Sequence, residues 1–264
     1  MLKNYSGHNL KYHPSKKPTI AVFDFTDCEG CELVILNWRE KLVDFLEDFE
    51  IVNWRLVQEE ERQVRFDIAL IEGTPVTEEE QEMLKSLRKN TEILVALGSC
   101  AHLGGIQGMI DERNRKKITK KIYGSRYQSR ATEVGPLSAY VEVDFVIPGC
   151  PADIKIVEEV IGNLLAKNDP QSKNYSVCFE CKMKENNCLL KRNLPCLGPI
   201  TAGGCGAICP TNGLECFGCY GKLAGTNWKA MKKNLESRCG REEAERHQRI
   251  FLKYTQVKRR LIEN

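Results

Sequence analysis

Residues 19–32 read TIAVFDFTDCEGCE. The first seven form an apolar run of strand length, rich in β-branched and aromatic side chains. A turn bearing Cys28 and Cys31 follows at once. CELVILNWREKLVDFLEDF (31–49) then places Leu33, Leu36, Leu42 and Leu46 among the apolar positions of a predicted helix. The same grammar recurs downstream. Strands are predicted in EIVNWRLV (50–57), FDIALIEG (66–73), TEILVALGSC (91–100) and VDFVIPGCP (143–151). Helices are predicted in VTEEEQEMLKSLRKN (76–90), opened by Thr77, and in ADIKIVEEVIGNLLAK (152–167). Near-continuous apolar strands alternating with helices imply an α/β fold with a mostly parallel sheet covered on both faces. Residues 101–141 exceed a minimal crossover and are expected to make an excursion over the site.

Four cysteines fall just past predicted strand ends: Cys28 and Cys31 after the first, Cys100 after the fourth, Cys150 after the fifth. In open parallel sheets that edge is where ligands bind, so positions far apart in the chain meet there. Four thiolates suit zinc or an iron–sulfur cluster. Gly30, Gly98, Gly104, Gly105 and Gly149 favour a cluster, because they permit close backbone approach and amide contacts to sulfur. Two plainer readings stand beside this one. Cys28 and Cys31 match a thioredoxin-like redox pair, and Cys100 and Cys150 match small buried core residues. His102 follows Cys100 and reads equally as a packing residue or a neighbour of the site. Asp27 and Glu32 flank the pair, with either a proton-handling or a helix-capping reading.

The chain has 264 residues, 42% hydrophobic and 28% charged, enough for one large domain or two modest ones with a real core. A net charge of +3, dispersed along the chain, excludes nucleic acid as an expected partner; RNRKK (113–117) and KRR (258–260) read as solvated faces. No apolar run approaches membrane-spanning length, and the N-terminus has neither an apolar signal core nor a twin-arginine pair. The expectation is a cytoplasmic protein. Thirteen cysteines in such a compartment point to metal ligation rather than disulfides.

Eight of those thiols lie between residues 178 and 219, after AKNDPQSKN (166–174), in a stretch rich in Cys, Gly, Pro and Asn. It lacks the periodic apolar runs of a conventional core, so metal is expected to organise it. By order they divide into Cys178, Cys181, Cys188 and Cys196 (C-x2-C-x6-C-x7-C) and Cys205, Cys209, Cys216 and Cys219 (C-x3-C-x6-C-x2-C). Neither is the bacterial ferredoxin run. Zinc sites and an interleaved pairing stay open on spacing alone. Three four-thiol sites in one chain favour an electron wire. Cys239, in SRCGRE, stands outside both arrays. Ile250, Tyr254, Val257 and Leu261 recur on one face of a predicted tail helix.

CEGCE (28–32), GSCAHLGG (98–105), PGCP (148–151) and the closing cysteine array, in this order, resemble the small, electron-transferring subunit of nickel–iron hydrogenases. The resemblance covers residues from about 18 to about 225. It implies a flavodoxin-like domain over 19–168, after an extension (1–18), and a small irregular iron–sulfur domain with a C-terminal helix over 169–264. It further implies a proximal [4Fe–4S] cluster on Cys28, Cys31, Cys100 and Cys150. A distal cluster would take Cys178, Cys181, Cys188 and Cys196, with Cys178 where many members have histidine. A medial cluster would take Cys205, Cys216 and Cys219. Cys209 adds a fourth thiol where many members, with three ligands and a proline, hold [3Fe–4S]. GCPAD (149–153) lacks the second proline of many members and departs only at the following turn.

These departures resemble the cytoplasmic, multisubunit branch, which includes NAD(P)-linked sulfhydrogenases and the F420-reducing and F420-nonreducing enzymes. The implied partners are a large subunit carrying the nickel–iron centre and a flavin- and NAD(P)-binding or other iron–sulfur acceptor subunit. The implied role is conduction in H2 oxidation or evolution, with no catalytic residue on this chain. F420- or heterodisulfide-reductase-linked complexes, or a standalone iron–sulfur carrier, are the alternatives. A zinc-stabilised scaffold is a further one.

Overall fold

The computed structural model describes residues 17–59, 65–110, 112–171, 173–247 and 250. Five strands, β1 (Thr19–Asp24), β2 (Glu50–Trp54), β3 (Phe66–Glu72), β4 (Thr91–Leu97) and β5 (Phe145–Ile147), form one sheet in the order β2-β1-β3-β4-β5. Every pairing is parallel. This is the flavodoxin-like order, whose direction reverses between β1 and β3.

The two-residue period of the strands divides the core into two layers. Ile20, Val22, Ile68, Leu70, Ile93, Val95 and Ile147 point to one face. There they meet Ile35 of α1 (Gly30–Leu36), Phe45 of α2 (Glu40–Asp48) and Val157, Val160, Ile161 and Leu164 of α6 (Ile154–Leu165). Ala21, Phe23, Ala69, Ile71, Leu94 and Ala96 point to the other. Leu84 and Leu87 of α3 (Glu78–Lys89) and Ala101 of α4 (Gly98–Leu103) cover that face. Thr77 opens α3 with a capping box: its hydroxyl accepts from the Glu80 amide while the Glu80 carboxylate accepts from the Thr77 amide.

The predicted helix over 31–49 is two helices. Arg39 has φ 57° and ψ −126°, outside helical space, and the Asn37 side chain bonds back to the Leu33 carbonyl. The break lets Trp38 pack on Phe45, with ring centroids 5.9 Å apart. The fourth strand ends at glycine, as expected. Gly98, at φ +78°, turns the chain straight into α4, so Cys100 sits on a helix. The excursion over 101–141 contains α5 (Glu112–Tyr123), joined to its flanks by Arg115, which donates to the carbonyls of Ile110 and Thr132.

The cysteine-rich stretch holds α7 (Val177–Met183) and α8 (Ile208–Thr211), followed by α9 (Trp228–Cys239), a helix that the sequence pattern does not announce. Contrary to expectation, the stretch does bury small apolar groups. Val177, Leu189 and Ala207 pack with Cys196 and Cys216, and Leu197 and Ile200 pack with Met231 and Leu235 of α9. In the first of these clusters thiols take the place of aliphatic side chains. Ile250 packs against the second cluster. Tyr254, Val257 and Leu261 of the predicted tail helix lie outside the described residues. No helix among the described residues is long and apolar enough to cross a membrane.

Candidate metal centre

The strand-end thiols meet at the carboxyl edge of the sheet. Glu72, the last residue of β3, is 1% exposed and accepts from the amides of Cys31 (3.0 Å) and Glu32 (2.8 Å), the first turn of α1. It thereby ties the helix carrying the CxxC pair to the switch point. Asp27 accepts from the Glu29 amide, shaping the turn before the helix. Glu32 does not cap α1. Its carboxylate turns inward and accepts from the Trp54 indole at 2.7 Å. Burial raises the Glu32 carboxyl to about 7 and that of Asp27 to about 6.

Space around these sulfurs is reserved by glycine. A Cβ on Gly30 would lie 3.2 Å from Cys28 Sγ, one on Gly105 2.6 Å from Cys100 Sγ, and one on Gly98 would collide with Cys31 Sγ. Cys31 Sγ also receives the Ala152 amide at 3.4 Å. Cys28 and Cys150 are exposed, Cys100 half-buried and Cys31 buried. Burial pushes the Cys100 thiol up to about 12, aided by Cys150, Asp27, Cys28 and Glu72; burial and then Cys28 raise Cys150.

Cys178, Cys181, Cys188 and Cys196 together line one pocket, completed by Val177, Leu189, Leu190, Gly198, Pro199 and Pro210. A Cβ on Gly198 would sit 3.4 Å from both Cys178 Sγ and Cys196 Sγ. Burial, then Cys196, Cys181 and Cys188, push Cys178 up to about 11. Around the remaining set, burial raises Cys205 and Cys216, opposed by the backbone amides of Ala207 and Ile208 at the first and of Gly218 at the second. Burial, followed by Cys205, Cys209 and Cys150, raises Cys219 to about 12.

Two contacts join the sets in a line. The Ser99 hydroxyl, beside Cys100, lies 2.8 Å from the carbonyls of both Gly149 and Cys219, and the Leu197 amide, beside Cys196, donates to the Cys216 carbonyl at 2.9 Å. The spatial order is therefore 28/31/100/150, then 205/209/216/219, then 178/181/188/196. The last two are reversed relative to the chain.

Cys239 ends α9, half-buried against its apolar cluster and outside all three sets. His102 packs over Gly221, and burial lowers it to about 4, so it is neutral. One group is not evident from sequence: Glu215, Glu243 and His247 present ligand atoms within 4.8 Å of one another. Arg246 already supplies the cation there, with Nη2 2.7 and 2.8 Å from the Glu215 oxygens and Nε 2.9 Å from Glu243. The Phe217 ring stacks with His247 and lies against the Arg246 guanidinium. The group reads as an ion-pair clasp on the segment bearing Cys216. The i, i+4 spacing of Glu243 and His247 is its only trace in the sequence.

Residues 28–164 match the family of the NADH ubiquinone oxidoreductase 20 kDa subunit. That match ends before the eight-thiol segment. The delta subunit of sulfhydrogenase 2 from Pyrococcus furiosus is 40% identical over 237 residues, covering 89% of this chain and 99% of the relative. A vhu subunit of the F420-non-reducing hydrogenase of Methanococcus voltae is 30% identical, covering 78% of this chain and 83% of the relative. In the crystal structure of an NAD+-reducing nickel–iron hydrogenase in its H2-reduced state, one chain shares the fold, with a TM-score of 0.53 and 24% identity, over 59% of this chain and 95% of that one. The chain belongs to the family of the NADH ubiquinone oxidoreductase 20 kDa subunit, as a small electron-transfer subunit of the hydrogenase type, and it shares its fold with a chain of a nickel–iron hydrogenase. Within that family it is homologous to the sulfhydrogenase delta subunit and to the corresponding subunits of F420-non-reducing hydrogenases, and its role is accessory electron transfer rather than catalysis.

Proposed function

We propose that this chain conducts electrons through three [4Fe–4S] clusters between the nickel–iron centre of a large subunit and a flavin or iron–sulfur partner. The complex is a cytoplasmic one linking H2 to NAD(P). Cys28, Cys31, Cys100 and Cys150 hold the proximal cluster on a flavodoxin-like domain (19–168). Cys205, Cys209, Cys216 and Cys219 hold the medial cluster, and Cys178, Cys181, Cys188 and Cys196 the distal one, in a second domain (169–264). The observation that carries this reading is the line of contacts from the Ser99 hydroxyl to the Cys219 carbonyl and from the Leu197 amide to the Cys216 carbonyl. A scaffold of independent zinc sites has no need of such a line.

The donor chemistry fits. Twelve thiols divide into three sets of four, and burial together with neighbouring thiols opposes the ionisation of Cys100, Cys178 and Cys219. A cationic metal core reverses that balance. Tetrahedral zinc, at about 2.3 Å from each sulfur, requires sulfurs about 3.8 Å apart. Among the described residues, no three thiols gather even within 4.8 Å. A four-iron core stands its thiolates farther apart. When bound, such clusters take up and release single electrons.

The chain's own residues do the rest. Gly98, Gly105 and Gly198 leave room at the sulfurs. The Ala152 amide donates to Cys31 Sγ, and the backbone amides of Gly198, Ala207, Ile208 and Gly218 favour negative charge on Cys196, Cys205 and Cys216, which would favour a bound cluster's reduced state. Val177, Leu189 and Leu190 exclude water at the distal pocket. The exposed Cys28 and Cys150 mark the face for the large subunit. A second reading, an F420-nonreducing or heterodisulfide-reductase-linked complex, rests on the similarity to the Methanococcus voltae vhu subunit.

Anaerobically purified protein should be brown, with iron and acid-labile sulfide each near about twelve atoms per chain. Colourless protein with stoichiometric zinc and no sulfide would sink the proposal. Co-purification of a nickel-containing chain and a nucleotide-binding flavoprotein identifies the branch.

A further inference from the structure

The strand-end thiols and the set beginning at Cys205 belong to different parts of the chain, yet they meet along a narrow seam. Its centre is Ser99, in the first turn of α4 and 8% exposed. The Ser99 amide donates to the Gly149 carbonyl at 2.7 Å. Its hydroxyl lies 2.8 Å from that same carbonyl and 2.8 Å from the carbonyl of Cys219. A hydroxyl has one proton to donate. The amide already serves Gly149, so the hydroxyl proton is free for Cys219. One small side chain thus touches the segments of three thiols: Cys100 beside it, Cys150 next to Gly149, and Cys219 itself.

A second contact lies on the same helix face, three residues on. His102 rests directly over Gly221, where a Cβ would come 2.7 Å from its Nε2. Gly221 has φ +80°, so its backbone conformation and its lack of a side chain both serve this approach.

We propose that Ser99 is a positioning residue that sets the spacing between the proximal and medial sites, with His102 on Gly221 as its support. The inference rests on the cluster reading above. Electron transfer falls steeply with separation, so a seam built from rigid backbone carbonyls, a short hydroxyl and an imidazole seated on Gly221 holds the gap at one value. A longer or charged side chain at Ser99 would hold it less firmly. Groups behind the ligands commonly orient them in this way.

The test uses the whole complex, purified anaerobically, with Ser99→Ala, Ser99→Thr and Gly221→Ala variants. Iron and sulfide are counted first. Low-temperature EPR of the fully reduced complex then reads the splitting that adjacent paramagnetic clusters impose on each other. The inference expects Ser99→Ala to keep its full iron and lose that splitting, while Ser99→Thr, which retains the donor, keeps it. Gly221→Ala, if it assembles, should lose the splitting too. Ser99→Ala with full iron and unchanged splitting overturns the inference. So does loss of iron from Ser99→Ala, which would make the hydroxyl a support of ligation and not of spacing. A wild-type complex short of iron refutes the cluster reading instead, which keeps the two failures distinct.

Discussion

Gly105→Ala tests how closely the chain is fitted to a metal at the sheet edge. Gly105 has φ +59°, and an added Cβ would lie 2.6 Å from Cys100 Sγ and 3.0 Å from Cys100 Cα. The backbone cost of alanine in the left-handed region is about 1–2 kcal/mol. The steric cost falls on the Gln107 side-chain oxygen, 2.5 Å away, and on the sulfur, which must retreat by roughly 0.8 Å to regain ordinary contact near 3.4 Å. Metal–ligand distances tolerate only about 0.2 Å. The displacement is several times larger, so Cys100 should drop out of the ligand set. Gly124→Ala is the control: its φ is +82°, and nothing lies within 4 Å of the added Cβ. It carries the backbone cost without the collision. The assay is iron and sulfide content with EPR of the reduced protein. Gly105→Ala should lose up to about four irons and the proximal signal, and Gly124→Ala should lose neither. If both variants keep full iron and differ only by the same small loss of thermal stability, the close-approach argument is wrong.

Cys209→Pro places proline in the first turn of α8, where its missing N–H is tolerated, and removes the fourth medial thiol. It should leave about eleven irons and give the oxidised protein a three-iron EPR signal; unchanged oxidised and reduced spectra would refute the medial assignment. Arg88 donates to the carbonyls of Thr91 and Glu92 and pairs with Asp144, whose side chain is 6% exposed. Arg88→Ala should therefore cost about 2–3 kcal/mol and lower hydrogen-exchange protection in β4 and β5; undiminished protection there would count against the pairing. Glu32 has a folded pKa raised to about 7 from 4.5, so its protonated form is favoured by folding. That stabilisation is complete below 4.5 and disappears as pH rises through 7. Glu32→Gln should flatten this part of the stability–pH profile, and an unaltered slope in unfolding measurements between those limits would refute the buried-carboxyl account.

The periodic parts of the fold were legible in sequence because each residue's environment there is set by its own element. Apolar strands buried on both faces announce a parallel sheet, and Thr77 with Glu80 announces the start of α3. The break at Arg39 was not legible, since the apolar pattern of 31–49 runs through it and only packing of Trp38 on Phe45 reveals the turn. Helix α9 was not legible either, because its neighbours Leu197 and Ile200 come from the cysteine-rich stretch, which reads as too polar to offer a core.

The sequence by itself determined where the thiols fall: four just past strand ends and eight in tandem between residues 178 and 219. Residue types and strand ends are local features of a chain, so they are legible from spacing, which does not by itself divide the tandem eight. The order of the groups in space was decided only by the tertiary structure. Cys219 comes last in the chain among the twelve, yet its segment folds back against Ser99 and Cys150, while Cys178, the first of the tandem arrays, belongs to the set farther along the line. Chain order says nothing about such a reversal. It follows from which backbone amides and carbonyls meet across the seam, and those contacts exist only once both parts have folded.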